Sequence, residues 1–372
     1  MEYKFENIAF NSTAKKLPED SDRQHYIGLE HLDSNSLYVS RWGSDVTPIG
    51  KKLLMKKGDI LFGKRRAYQR KVGIAPFDGI FSAHGMVLRP KENIMDKDFF
   101  PFFIGSDQFM ERAIRISVGG LSPTINWKDL KEQVFDIPSL DEQKSLATKL
   151  WAAYKLREEY KRLLAATDEM VKSQFIEMFG GDKVEHVELS SVCATFIDGD
   201  WIESKDQSES GIRLIQTGNV GCGEYKDKED KAKFITEETF NRLHCTEIFP
   251  GDILISRLPD PVGRSCMLPD GLGKCITAVD CTIIRLSDIM LPKFFVAYTN
   301  SPDYLAQIKS TLAGTTRLRV SRGNLGKVKI PLPSIEQQTA FVTIAEQADK
   351  SKFELRKSIE AIDKVIKSLI NS

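Results

Sequence analysis

The chain has 372 residues, enough for two or three domains, and its hydrophobic fraction of 41% and charged fraction of 28% are typical of a globular protein. No apolar run approaches the roughly 20 residues of a transmembrane helix, and the first residues lack the apolar core of a signal peptide, so we expect a cytoplasmic protein without membrane contact. A net charge of +1 excludes a uniformly basic nucleic-acid-binding protein and leaves only local basic patches for such a role.

Residues 1–138 show the pattern of a domain that mixes helices and strands. The short apolar runs 60–62 and 86–88 are bounded by Gly, Asp and Pro, which is typical of strands. Residues 98–116 carry apolar side chains at helical spacing and are expected to form one helix with a buried face. The first segment is therefore predicted to be an α+β domain.

The main basic cluster of the chain surrounds the first of these two predicted strands. Segment 51–71 contains nine Lys and Arg side chains and a single acidic residue, Asp59. Its second part follows the strand 60–62 as a loop, where such side chains can contact phosphates and reach base edges in the major groove. A run of charges is usually only a solvated surface, but the density of arginines and the Tyr among them favour DNA contact. The predicted contacts are Lys64, Arg65, Arg66, Tyr68, Gln69, Arg70 and Lys71.

A long helix is predicted from residue 139 to residue 180. Ser139 and Glu142 have the spacing of a capping box, in which each side chain bonds the other residue's backbone N–H. Pro138 keeps the chain extended up to this cap, and Gly180-Gly181 is a suitable helix end.

The second half of the chain repeats the first. Residues 99–143 align with 294–338 without a gap, and Gly58-Asp59-Ile60-Leu61 recurs as Gly251-Asp252-Ile253-Leu254. Residues 181–333 are therefore predicted to be a second α+β domain, with strands at 253–255 and 282–284 and a helix at 293–311.

A second long helix is predicted in segment 334–372, where Ser334 repeats the cap of the first. Its apolar residues follow a 4-3-4-3 spacing, the seam of a coiled coil, and are Leu355, Ile359, Ile362, Ile366 and Leu369. Two helices with one apolar stripe each are expected to bury those stripes on each other. Antiparallel pairing would give a pseudo-twofold molecule with two similar domains separated by the helices. The alternative is that each long helix packs only on its own domain.

The second domain carries its basic residues at other positions than the first. Its cluster lies at 315–322 and aligns with the hydroxyl and amide residues of segment 121–126, which suit phosphate binding after a Gly turn. Two domains with one scaffold and different loops are expected to recognise two different short sequences. The further predicted DNA contacts are Ser122, Thr124, Asn126, Arg257, Arg264, Thr316, Arg317, Arg319 and Arg322.

Catalytic and metal-binding patterns are missing from the sequence. It contains no GxxxxGK[ST] phosphate loop, no GxGxxG after a strand, no HExxH and no GxSxG motif. All six cysteines fall in the second half without a CxxC pair, and we interpret them as core residues rather than metal ligands. Glu229-Asp230-Lys231 is read as part of a solvated loop rather than half of a nuclease site. We therefore expect a chain without catalytic, metal or cofactor sites.

The repeated motifs resemble those of the specificity subunit of type I restriction–modification enzymes over essentially the whole chain. The resemblance rests on the two Gly-Asp-Ile-Leu segments and on the similar sequences that precede both long helices, 137–143 and 331–338. It implies two target recognition domains, 1–138 and 181–333, and two paired helical conserved regions, 139–180 and 334–372. It also implies a chain that is not itself an enzyme.

The resemblance further implies a function and partners. Each recognition domain of this family binds one half of a split, asymmetric sequence in double-stranded DNA, and the helices set the spacer. Two modification subunits, which use S-adenosylmethionine, bind the helical regions, and restriction subunits join them for cleavage that requires ATP and Mg. Two other readings stay open from the residues alone: a coiled-coil scaffold with protein-binding domains, and an enzyme such as a nuclease or methyltransferase.

Overall fold

The computed structural model describes residues 1–34, 36–181, 184–259, 261–314 and 318–371. It divides into two compact units. Unit 1 comprises Met1–Leu163 with Leu355–Ser372, and unit 2 comprises Leu164–Glu354. Each unit therefore contains one globular segment and one part of each of two long helices.

Unit 1 is built on two four-stranded sheets and a two-stranded one. Its strands are β1 Glu2–Lys4, β2 Ala9–Ser12, β3 Lys15–Lys16, β4 Tyr26–Ile27, β5 Lys52–Met55, β6 Ile60–Phe62, β7 Val72–Ile74, β8 Gly79–Phe81, β9 Met86–Pro90 and β10 Val134–Asp136. Its short helices are α1 Phe5–Ile8, α2 Phe100–Gly105, α3 Asp107–Arg115 and α4 Trp127–Leu130. The sheet orders are β2-β9-β6-β7, β3-β5-β8-β4 and β1-β10, and the pair β4-β8 is parallel.

The first long helix, α5, spans Leu140–Phe179. Unit 2 resembles unit 1, with a three-stranded second sheet among its described residues where unit 1 has four strands. Its strands are β11 His186–Glu188, β12 Cys193–Asp198, β13 Ile212–Ile215, β14 Lys233–Ile235, β15 Ile253–Ser256, β16 Ser265–Met267, β17 Cys275–Thr277, β18 Cys281–Leu286 and β19 Lys329–Pro331. The sheet orders are β12-β18-β15-β16, β14-β13-β17 and β11-β19. Its helices are α6 Glu237–Leu243, α7 Pro292–Tyr298, α8 Pro302–Ser310, α9 Arg322–Gly326 and the second long helix, α10 Ile335–Ile370. The α+β prediction is confirmed for both segments.

The repeated Gly-Asp pair anchors the same turn in both units. Gly58 and Gly251 have φ values of 89° and 88°, in the left-handed region that favours glycine. The carboxylate of Asp59 receives two hydrogen bonds from Arg89, at 2.5 and 2.7 Å, and that of Asp252 receives two from Arg285, both at 2.9 Å. A buried carboxylate with a bidentate arginine fixes the turn before the central strand in each unit.

The helices predicted at 98–116 and 293–311 are each interrupted, so the prediction of one helix was wrong in both units. The first breaks at Ser106, whose hydroxyl accepts the N–H of Phe109 at 3.1 Å and starts α3. Ser301 does the same for Tyr304 at the start of α8, at 3.3 Å. A serine in extended conformation is a favourable N-cap, and the apolar spacing alone does not reveal it.

The predicted capping boxes are confirmed at both long helices. Ser139 N–H donates to Glu142 at 2.8 Å and the Glu142 N–H returns to the Ser139 hydroxyl at 3.4 Å. Ser334 and Gln337 exchange the same two bonds, at 3.0 and 3.4 Å. The first helix ends before Gly181, which has a φ of 68°.

The two long helices pack against each other in each unit, and they run antiparallel. In unit 1, Arg157 of α5 bonds Asp363 of α10 at 3.0 Å, and the seam residue Ile366 is buried in the core of that unit. In unit 2, Lys352 of α10 donates to Asp168 of α5 at 3.0 Å. Phe341 of α10 packs on Phe175 of α5, with ring centroids 5.1 Å apart. The residue numbers on α10 fall as those of their contacts on α5 rise, so the two helices run antiparallel, as predicted.

Candidate nucleic-acid interface

In unit 1 the predicted basic loop connects β6 to β7. Arg66 and Arg70 adopt positive φ values of 55° and 52° and enclose a single turn at Ala67–Gln69. The Ala67 methyl is buried beneath this turn. The side chains of Arg65, Arg66 and Tyr68 are exposed, and that of Gln69 is half-buried. The local backbone thus presents two arginines and an aromatic ring to solvent.

A second loop, residues 117–126, is bonded directly to the first. The N–H of Ile125 donates to the Lys64 carbonyl at 3.0 Å, and the N–H of Arg66 donates to the Pro123 carbonyl at 2.7 Å. The Ser122 hydroxyl accepts from the guanidinium groups of Arg65 and Arg66 at 3.5 and 3.4 Å. The structure therefore brings together two predicted sets that are more than fifty residues apart in sequence.

Three more basic side chains lie near this loop: Lys52, which belongs to the basic run 51–71, and Lys15 and His84, which the sequence prediction did not include. The pKa of the half-buried Lys64 is lowered by burial and by the charge of Lys15. Burial, and then the charges of Arg65, Lys64 and Lys52, lower the pKa of His84. Lys15 and Lys52 lie on neighbouring strands, β3 and β5, and the His84 carbonyl accepts the Arg65 N–H at 3.2 Å. Strand pairing brings Lys15 next to the strand of Lys52, and the turn between β8 and β9 brings His84 next to Arg65.

The other predicted contacts of unit 1 are partly engaged within the protein. Arg70 donates to Asp107 at 2.6 Å, and the Lys71 ammonium donates to the Leu29 carbonyl at 2.7 Å. The Thr124 hydroxyl donates to the Ser122 carbonyl at 3.2 Å, and the exposed Asn126 amide donates to Asp129 at 3.5 Å. These side chains hold the two loops in shape, whereas Arg65, Arg66 and Tyr68 are the ones most available to a ligand.

The same loop pairing occurs in unit 2. The N–H of Val320 donates to the Arg257 carbonyl at 3.3 Å, which is the equivalent of the bond between Ile125 and Lys64. Ala313 and Arg319 exchange two backbone hydrogen bonds of 3.0 Å, as Val118 and Thr124 do in unit 1 at 3.0 and 2.9 Å. The scaffold that joins the two loops is therefore repeated, while the side chains on it differ.

Two arginines predicted as DNA contacts in unit 2 are buried instead. The Arg264 guanidinium donates to four backbone carbonyl groups between 2.6 and 3.0 Å and is only 8% exposed. Arg257 is 5% exposed, donates to the Val279 carbonyl at 2.6 Å and lies 3.4 Å from the Asp198 carboxylate. Both guanidinium groups are therefore engaged within the protein. Pro259 and Pro261 are local acceptors for Arg264, whereas Val220, Thr217 and, for Arg257, Val279 belong to segments that the local sequence pattern does not reveal.

The remaining predicted contacts of unit 2 are Arg319 and Arg322, both exposed. Arg319 lies 3.7 Å from the carboxylate of Asp280. Arg322 opens α9, whose cap Ser321 accepts the Asn324 N–H at 3.1 Å. Thr316 and Arg317 lie outside the described residues. Among the residues that the structure describes, Arg319 and Arg322 are thus the exposed predicted contacts of unit 2, and Arg319 lies near a carboxylate.

Other kinds of site were sought in the part of the chain that the structure describes. There, His, Cys, Asp and Glu side chains form no group of three or more that could hold a metal ion. Four of the six cysteines are buried and Cys222 is exposed. Burial raises the pKa of the Cys193 and Cys266 thiols to about 12. Among the described helices, none is long and apolar enough to cross a membrane.

Comparison with known proteins identifies the family. The family model for the type I restriction modification DNA specificity domain matches this chain twice, over residues 10–163 and 181–363. The chain belongs to this family. Each match covers one globular segment and a large part of the long helix that follows it, in agreement with the repeat seen in sequence and structure.

Individual members of the type I restriction modification family support this assignment. The type I restriction enzyme MjaVIII specificity subunit of Methanocaldococcus jannaschii is 23% identical over 337 residues, which cover 84% of this chain and 75% of that protein. The fold resembles a chain from a structural study of complex assembly and conformational transition in the type I R-M system, with a TM-score of 0.60, 18% identity, and coverage of 100% and 96%. It also resembles the S subunit of the M. genitalium type I system, with a TM-score of 0.56, 14% identity, and coverage of 100% and 94%.

Proposed function

We propose that this specificity subunit recognises a split DNA target, with unit 1 binding one half-site and unit 2 the other. The observation that carries the proposal is the repeated loop pairing: Lys64–Ile125 in unit 1 and Arg257–Val320 in unit 2. One backbone scaffold holds two loops side by side in each unit, and the exposed side chains on the two scaffolds differ. Equivalent scaffolds with different side chains are suited to two different short sequences.

In unit 1 the proposed interface contains phosphate-binding and base-reading side chains. Lys15, Lys52 and Lys64 form the cationic surface around the loops, and phosphate contacts of this kind supply affinity that depends strongly on salt. Arg65 and Arg66 are exposed at the centre, and an arginine can form two hydrogen bonds to the major-groove edge of guanine. Burial first, and then the charge of Lys15, lower the pKa of Lys64, and an anionic partner would favour its charged form.

In unit 2 the proposed contacts among the described residues are Arg319 and Arg322, and carboxylates lie close to its cations. Asp198 and Asp280 lie beside Arg257 and Arg319 and offset part of their charge. Carboxylates at a DNA interface repel phosphates and can accept a hydrogen bond from the amino group of cytosine. Unit 2 is therefore proposed to contribute more to specificity than to affinity.

The chain is proposed to act without catalysis, in a cytoplasmic complex. Two modification subunits would bind the long helices and supply S-adenosylmethionine-dependent methylation, and restriction subunits would add cleavage that requires ATP and Mg. The helices would also set the spacer between the half-sites. These roles rest on membership of the type I restriction modification family.

The test is DNA binding by the chain in complex with its modification subunits, measured over a series of salt concentrations. The proposal expects sequence-specific binding whose affinity falls steeply with salt, because each phosphate contact releases counterions. A rival function, a scaffold whose domains bind proteins, predicts weak binding without sequence preference. Retention on heparin together with a steep salt dependence would exclude that rival.

A further inference from the structure

The loop 117–126 ends in an apolar tip that lies beside the arginines of unit 1. Leu121 is 97% exposed and Val118, on the same loop, is 58% exposed. Single exposed apolar residues are common on protein surfaces, and exposure alone carries no functional meaning. The position of Leu121 is what distinguishes it, because its neighbour Ser122 accepts hydrogen bonds from both Arg65 and Arg66.

This tip is held rigidly by the backbone on both sides. Val118 and Thr124 exchange two hydrogen bonds of 3.0 and 2.9 Å, which close the loop at its base. The bonds from Ile125 to Lys64 and from Arg66 to Pro123 then tie it to the neighbouring basic loop. Gly119, with a φ of 114°, provides the left-handed turn just before the tip. A side chain presented on a pre-ordered loop loses little conformational entropy when it binds.

We propose that Leu121 is a DNA-inserting residue, which enters the duplex at a base step of the half-site bound by unit 1 and partly unstacks it. The proposal rests on the proposed function, because unit 1 must first bind its half-site through the basic loop beside Leu121. Apolar side chains of this kind are used by DNA-bending proteins as wedges between bases, next to basic residues that bind the backbone. Insertion would favour base steps that unstack easily, and it would add sequence selectivity without a hydrogen bond to a base.

The experiment uses the complex of this chain with its modification subunits and its methylation target, determined beforehand by sequencing. 2-Aminopurine is placed singly at adenine positions of both half-sites, except at the methylated base, since methyltransferases flip that base out of the helix. The wild-type complex should increase the fluorescence at one position of one half-site. Leu121→Ala should abolish that increase and weaken binding about tenfold, whereas Leu121→Met should retain both.

Ile49→Ala is the matched control, because Ile49 is 93% exposed in the same unit but lies outside both loops. It should leave fluorescence and affinity unchanged. The inference is overturned if wild-type complex binds specifically and Leu121→Ala equals it in fluorescence and affinity, or if binding weakens without any fluorescence change in the wild type. It is also overturned if Leu121→Ala reduces assembly with the modification subunits in the absence of DNA, which would make Leu121 a protein contact. A wild-type complex with no sequence-specific binding would instead refute the proposed function itself.

Discussion

The backbone N–H of Ile125 donates to the Lys64 carbonyl oxygen at 3.0 Å, and this bond joins two loops that are distant in the sequence. Because Val320 and Arg257 make the same bond in unit 2, the pairing belongs to the duplicated scaffold and not to one loop sequence. The side chains on the two loops can therefore vary while their spacing is kept. That separation of scaffold from surface suits a protein that recognises DNA sequences.

Arg66→Ala in unit 1 should weaken binding of the cognate target by about 1–3 kcal/mol and relax specificity at one base pair, as expected for loss of a base contact. Lys64→Ala should instead weaken all sequences about equally and reduce the slope of log K against log salt by about 1. Competition binding with a panel of single-substituted targets distinguishes the two effects.

Lys57→Ala provides the matched control for both substitutions. Lys57 belongs to the same basic run but precedes β6, whereas the loop of Arg66 follows that strand. Its removal should change affinity by much less than that of Arg66. Equal losses for Lys57→Ala and Arg66→Ala would mean that general charge, and not this loop, governs binding.

His84 should make DNA binding depend on pH. Burial and the neighbouring cations Arg65, Lys64 and Lys52 lower the pKa of its imidazole in the free protein, which favours the neutral form. Nearby phosphates would favour the protonated form, and binding is therefore expected to take up protons at His84. Affinity should rise as pH falls, with a contribution to log K of at most about one unit per pH unit. His84→Gln should flatten this part of the profile when dissociation constants are measured at fixed ionic strength.

Asp280→Asn should increase the affinity of the complex for DNA. The carboxylate lies 3.7 Å from Arg319, and its removal frees that guanidinium and takes one negative charge from the proposed interface. Exposed ion pairs of this kind contribute about 0.2–1 kcal/mol. We therefore expect the affinity for DNA to rise a few-fold at low salt and by less at high salt. Asp303→Asn, which neutralises an acidic residue of α8 in the same unit, is the comparison. If both variants bind alike, Arg319 does not contact DNA.

Gln143 and Gln338 should each be important for the stability of their own unit. Both amides are fully buried and make three equivalent hydrogen bonds: Gln143 to Asp96, Ile94 and Pro138, and Gln338 to Leu291, Ile289 and Pro333. Alanine at either position leaves buried backbone groups without partners, and we expect a loss of about 2–4 kcal/mol in the free energy of unfolding. Denaturant unfolding measures this loss. The exposed Gln347→Ala should change stability by less than about 0.5 kcal/mol.

Local sequence patterns predicted most helices and strands, but they did not predict contacts between residues distant in the sequence. The strands at 60–62 and 253–255 and both capping boxes follow from short-range chemistry, and the structure contains them. The spacing of apolar residues predicted one continuous helix in each unit, but Ser106 and Ser301 each start a new helix because their hydroxyls cap it. The repeated Gln143 and Gln338 were visible as a motif, but their role depends on carbonyl groups about fifty residues away.

The candidate site was predictable only in part for the same reason. The cluster Arg65, Arg66 and Tyr68 is contiguous in sequence and exposed in the structure. Lys15 reaches it through the pairing of β3 with β5, and His84 through the turn between β8 and β9; no local pattern encodes either approach. Arg264 looked like a surface cation, but the carbonyl groups of Thr217 and Val220 enclose it. Burial of an arginine depends on acceptors elsewhere in the chain, and composition does not report them.

The central claim is that each unit binds its own half-site, and methylation mapping tests it most directly. The chain is co-expressed with its modification subunit in a host lacking other methyltransferases, and the host DNA is sequenced with a method that detects methylated bases. The account predicts one motif of two short specified blocks around a fixed unspecified gap, and it predicts that Arg66→Ala relaxes one block and leaves the other unchanged. A single continuous motif, or relaxation of both blocks by that substitution, would contradict it.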